Sequence, residues 1–159
     1  MNSKKYFKPI ILGIGIAALI TIAAITSTNK TNQTDRANKH LTLYKSPNCG
    51  CCANHAAYLR RNDFEVEIIE TNDMDAIKSE NGIPGGEESC HTSVIDGYAI
   101  EGHMPVEAIE KLLAEKPDIK GIGLAEMPSG SPGMPGAKKE PFDIYSFTED
   151  GKVNNYLKL

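Results

Sequence analysis

The sequence predicts one α/β domain whose elements follow in the order β-α-β-α-β-β-α. Three observations lead to this. Short β-prone runs alternate with runs of helix formers from Leu41 to Ser79. The pair Asp96-Gly97 stands between two β-prone runs, the strongest short-range signal for a tight hairpin. Val106, Ile109, Leu112 and Leu113 fall on one face of a final helix. At 159 residues there is room for one ordinary domain with appendages.

The first appendage is a leader. Lys4, Lys5 and Lys8 precede an apolar run from Pro9 to Ile25, broken only by Thr21. That is the charged-then-apolar layout of an export signal. As a helix the run would be about 24 Å long, short of the roughly 30 Å hydrocarbon core. Residues 1–27 are therefore expected to be a signal peptide. The alternative is an uncleaved anchor that tethers the protein through residues 9–26, because Ala24-Ile25-Thr26 is a poor cleavage site. In both cases the lysines stay inside and the rest lies outside the cytoplasm, in the periplasm or on the outer face of the inner membrane. Residues 28–40 form a polar linker, and the domain is expected over residues 41–159.

Within the domain, Leu41 to Lys45 alternates as a strand should, and Pro47 stops it. Helix formers run from Cys52 to about Arg61, and Glu65 to Glu70 gives a second strand; the βαβ unit should make the two strands parallel neighbours with a right-handed crossover. Asp73 to Ser79 is a short helix capped by Asn72 or Asp73 and closed by Asn81-Gly82; its Met74, Lys78 and acidic residues read as solvated surface. A loop from Pro84 to Ser89 delivers the chain to Cys90-His91 and the hairpin Thr92–Ile95, Tyr98–Ile100. Pro105 opens the last helix, where a first-turn proline is harmless, and Lys116-Pro117 closes it. Beyond lie a Met/Pro/Gly loop, from Met127 to Gly136, and a C-terminal β-hairpin from Asp143–Phe147 and Val153–Leu157.

Without the leader the chain carries 14 basic and 21 acidic side chains. No basic stripe remains to neutralise phosphate, which argues against a nucleic-acid partner.

The chemistry concentrates in Ser46-Pro47-Asn48-Cys49-Gly50-Cys51-Cys52, which holds three of the four cysteines at the start of a helix. Backbone N–H groups and the positive end of the helix dipole favour thiolate there, the form that attacks disulfides and binds soft metals. A free cysteine is more often a small buried hydrophobe, but three within four residues of a Pro/Asn/Gly turn cannot all fill a core.

The element order is that of a thioredoxin-like domain, and the start of the domain is similar to glutaredoxins, with Leu43-Tyr44, Pro47 and a Cys-x-x-Cys formed by Cys49 and Cys52. Laying Ile95-Asp96-Gly97 on the hairpin of that fold puts His91 where those proteins carry a cis-proline and Cys90 opposite the dithiol. The whole domain more specifically resembles the thioredoxin-like metal-binding family that includes the copper-resistance protein CopG. The carrying motifs are Cys49-Gly50-Cys51-Cys52, Ser89-Cys90-His91-Thr92, Asp96-Gly97-Tyr98, Gly102-His103-Met104-Pro105 and the run from Met127 to Met134. Two positions depart from that pattern: His55 stands where an aromatic, typically Trp, is expected, and Met104 where valine is common.

The resemblance implies an exported protein that binds Cu(I) through Cys49, Cys51, Cys52 and Cys90, as a multinuclear cysteine-bridged cluster, and acts in copper tolerance beside other copper-handling exported proteins. Thiolates are soft donors suited to Cu(I), and adjacent cysteines suit bridging sulfurs better than a tetrahedral zinc site. His91 and His103 are either hydrogen-bonded loop histidines or ligands and proton relays beside the cysteines. Met127 and Met134 are either gap-fillers or thioether donors. Three functions compete: copper binding, with Cu(I)/Cu(II) cycling as an extension; thiol–disulfide exchange, with Cys49 attacking and Cys52 resolving; and a structural domain with two disulfides. If the protein turns over, both of the first two make it an oxidoreductase.

Overall fold

The computed structural model describes residues 39–159. The expected leader and nearly all of the linker lie outside the described residues. The described residues form a mixed α/β fold of seven strands and three helices: β1 (His40–Lys45), α1 (Gly50–Arg61), β2 (Glu65–Glu70), α2 (Met74–Glu80), β3 (His91–Ile95), β4 (Tyr98–Glu101), α3 (Val106–Glu115), β5 (Gly121–Gly123), β6 (Asp143–Phe147) and β7 (Val153–Lys158). One sheet holds all seven strands in the order β2-β1-β3-β4-β5-β6-β7. The expected element order holds from His40 to Glu115, and the C-terminal hairpin is β6 and β7.

Strand β5 is the element that the sequence did not announce. Gly121-Ile122-Gly123 lacks β-branched bulk except at Ile122, yet it pairs parallel to β4 and antiparallel to β6, joining the terminal hairpin to the main sheet. Its glycines serve close approach: a Cβ on Gly121 would lie 2.6 Å from the Phe147 ring. Helix α3 is bounded as its sequence suggests. Pro105 is its N-cap, and Lys116 ends it in the left-handed conformation, φ +46°.

The sheet separates two apolar clusters. Leu41, Leu43, Val66, Ile100 and Ile122 meet Ala56 and Leu59 of α1 and Val106, Ile109 and Leu112 of α3. The alternate residue Ala99 joins Ile83, Tyr145 and Phe147 in the second cluster, as the period-2 geometry of β4 requires. Among the described residues no helix is long and apolar enough to cross a membrane.

Register explains why residues far apart in sequence meet. Antiparallel pairing of β1 with β3 sets Lys45 opposite His91. The turn that leaves β1 and the residue that precedes β3 therefore share one end of the sheet. Strand β4 runs antiparallel to β3, with Thr92 opposite Glu101, so Gly102-His103 emerge at that same end. The Gly102 N–H donates to the His91 carbonyl at 3.1 Å, and the Leu124 N–H donates to the Glu101 carbonyl at 3.1 Å. The loop after β5 is thereby brought to the same place.

Candidate metal centre

Helix α1 begins two residues earlier than its helix formers suggest, because Cys49 acts as the N-cap. Its sulfur accepts the Cys52 N–H at 3.3 Å, the role usually filled by a Ser or Asp oxygen. Cys51 and Cys52 consequently lie in the first helical turn. Cys49 and Cys52 form a disulfide, and Cys51 and Cys90 are free thiols. The Cys90 sulfur is 3.4 Å from that of Cys52 and 3.8 Å from that of Cys51, and the Cys51 sulfur is 3.5 Å from that of Cys49. All four sulfurs lie within 4.8 Å of one another. Burial, reinforced by the neighbouring Cys51, pushes the Cys90 thiol up to about 12.

Three histidines stand behind this cluster, each buried. The Cys90 sulfur is 3.5 Å from His91 Nδ1 and 3.5 Å from His103 Nε2. The remote nitrogen of His103, Nδ1, donates to the Pro132 carbonyl at 2.6 Å. His91 Nε2 meets His55 Nδ1 at 2.8 Å, and His55 Nε2 meets the Met104 carbonyl at 3.0 Å. Burial lowers all three imidazoles, taking His55 to about 4 and His91 well below the ordinary histidine value. The rings are neutral near pH 7, so each carries one N–H and one lone pair; both nitrogens of His55 are taken up by His91 and the Met104 carbonyl, and only His91 and His103 set a nitrogen beside the Cys90 sulfur. Cys90, His91 and His103 form a second group whose ligand atoms lie within 4.8 Å of one another. Cys90 is common to both groups.

Comparison with known proteins bears on the family of the chain. The family model described as a protein of unknown function, DUF411, matches residues 87–134, the stretch that contains Cys90, His91 and His103. The chain is similar to a solved structure named copper resistance protein copG, form 1, at 36% identity over 76% of this chain and 96% of that one, with a TM-score of 0.70. Form 2 of that protein matches at 35% identity over 76% of this chain and 97% of the other, with a TM-score of 0.67. The chain belongs to the CopG family. The comparison with curated proteins gives no match.

Two features of this CopG family member lay beyond the sequence reading. Lys78 is not the solvated surface residue its helix suggested. It is buried and paired with the fully buried Glu101. Glu101 also accepts the Ser89 N–H at 2.5 Å and the Thr92 hydroxyl at 2.6 Å, so one carboxylate ties down residues on both sides of Cys90-His91. The second feature is the contact of His55 with His91: helical spacing puts His55 on the buried face with Cys52, Ala56 and Leu59, but its ring partner lies 36 residues away. The Met/Pro/Gly loop touches the centre through backbone. Pro132 holds His103, and Gly133, at φ +83°, packs so closely on α1 that a Cβ there would lie 2.6 Å from the His55 backbone nitrogen. Met134 follows directly, and both Met134 and Met127 are half-buried.

Proposed function

We propose that the protein is an exported copper-binding protein of copper resistance and homeostasis. It holds Cu(I) on Cys49, Cys51, Cys52 and Cys90 as a cluster of more than one ion, built on a thioredoxin-like frame. The observation that carries this reading is the shared Cys90 sulfur, which belongs at once to a four-sulfur group and to a Cys-His-His group. A sulfur with donors on both sides can bridge metal ions, and thiolate is the donor that selects Cu(I). His91 and His103 add imidazole nitrogen at the same sulfur. Imidazole suits Cu(II) as well as Cu(I), which fits redox cycling of the bound metal. Met127 and Met134 are the thioethers available to a copper ion passing to or from another copper-handling exported protein. The apolar leader and the copper-resistance neighbours support export to the periplasm or to the outer face of the inner membrane.

The disulfide favours a second reading, an extracytoplasmic thiol–disulfide oxidoreductase using Cys49 and Cys52. In the copper reading this disulfide must first gain two electrons and two protons from an external dithiol, which frees all four sulfurs.

Replacing Cys51 by Ser separates the two. The copper reading expects the Cu(I) stoichiometry of the reduced chain to fall, because a bridging sulfur is lost while Cys49 and Cys52 remain. The oxidoreductase reading expects disulfide turnover to be retained or improved, since a competing thiol is gone. Unchanged copper stoichiometry together with retained disulfide reduction would reject the copper reading.

A further inference from the structure

His55 offers no nitrogen to a metal, because both are engaged. A carbonyl oxygen only accepts, so the 3.0 Å contact with Met104 requires the proton on His55 Nε2. A neutral imidazole carries one N–H, which leaves His55 Nδ1 as an acceptor. Its partner at 2.8 Å, His91 Nε2, must then donate. The lone pair of His91 consequently lies on Nδ1, the nitrogen 3.5 Å from the Cys90 sulfur. His103 reaches the same outcome without an intermediary: Nδ1 donates to the Pro132 carbonyl and the lone pair on Nε2 faces the same sulfur. Two backbone carbonyls thus decide the orientation of two lone pairs, one directly and one through an extra ring.

We propose that His55 is a positioning residue that holds His91 as its Nε2–H tautomer and presents the Nδ1 lone pair to a metal bound by the Cys90 sulfur. The opposite proton arrangement would set the His55 Nε2 lone pair against the Met104 oxygen and turn an N–H of His91 towards Cys90. It would repel at one end of the chain of contacts and block the metal at the other. The packing leaves no third choice, since His55 and His91 are both inaccessible to water. The metal-related part rests on the copper reading above, whereas the tautomer itself does not need copper.

The test is nitrogen NMR of the metal-free full chain labelled with 15N-histidine. His55 should show a bare Nδ1 and a protonated Nε2, His91 a bare Nδ1 and a protonated Nε2, and a coupling across the hydrogen bond should link His91 Nε2 to His55 Nδ1. A protonated His91 Nδ1, or the absence of any coupling between the two rings, would overturn the proposal. Copper supplies the second readout. His55→Phe fills the space without a nitrogen and should weaken Cu(I) binding by about 10- to 100-fold, the usual effect of removing the partner of a metal-binding histidine. His55→Gln keeps one donor and one acceptor and should recover most of the loss. Wild-type copper affinity in His55→Phe, or equal losses in the two variants, would also overturn it. If the unmodified chain binds no copper, the copper reading fails while the NMR result still judges the tautomer; should His55→Phe not fold, the wild-type spectrum and His55→Gln decide.

Discussion

Three imidazole rings with centroids 4.9 to 5.0 Å apart, packed away from water, cannot readily take up protons. The cost of charging them appears as acid sensitivity. The folded-state value of His55 is depressed to about 4 from 6.5, chiefly by burial. The unfolded chain therefore binds this proton first as pH falls. The stability associated with neutral His55 is complete above about pH 6.5 and is lost as pH drops towards 4; it is on the order of 3 kcal/mol. His91, lowered further in the same direction, adds to the slope. Denaturant unfolding of the metal-free chain should show stability falling between pH 6.5 and 4, and His55→Phe should flatten that fall. A profile equally steep in wild type and variant would contradict this account. At the residue scale the cysteines were legible because three lie within four positions of one turn. The ring contacts of His55 were not, because its partners His91 and Met104 lie 36 and 49 residues further on.

At the scale of elements, the hydrophobic periodicity of α3 and the Asp-Gly turn between β3 and β4 were readable because the signals are local. Helix α2 shows where local reading stops. Its seven residues are mostly polar, and only the tertiary structure sets Lys78 against Glu101. The pair is strongly unequal in what it tolerates. Lys78→Ala would leave the Glu101 carboxylate buried without its cation, an arrangement that costs about 3–5 kcal/mol. Urea unfolding should register that loss. The double change Lys78→Met with Glu101→Gln removes both charges, and the amide can still accept from Ser89 and donate to Thr92, so it should cost clearly less than Lys78→Ala alone. Equal losses would mean that the ion pair does not account for the stability of this corner. Strand β5 escaped the sequence for a related reason: glycines that permit close approach to Ala99 and Phe147 look locally like loop residues.

For the molecule as a whole, the sheet register is what assembles the centre. The turn after β1, the start of β3, the end of β4 and the loop after β5 all arrive at one end of a single sheet. The turn cysteines and the candidacy of His91 and His103 could be read from the chain; how closely both rings approach the Cys90 sulfur follows from the pairing of β3 with β4 and from the loop after β5, which holds His103. Because Cys49 and Cys52 are joined by a disulfide, copper capacity should follow the redox state: two thiols and two imidazoles in the oxidised chain, four thiols and two imidazoles in the reduced one. The most direct measurement is an anaerobic Cu(I) titration of the full chain against a competing chelator, carried out on the reduced protein and on the protein with its disulfide intact. The reduced chain is expected to take up more than one Cu(I), and the oxidised chain fewer. One ion or none in the reduced chain, or the same number in both states, would contradict the four-cysteine cluster.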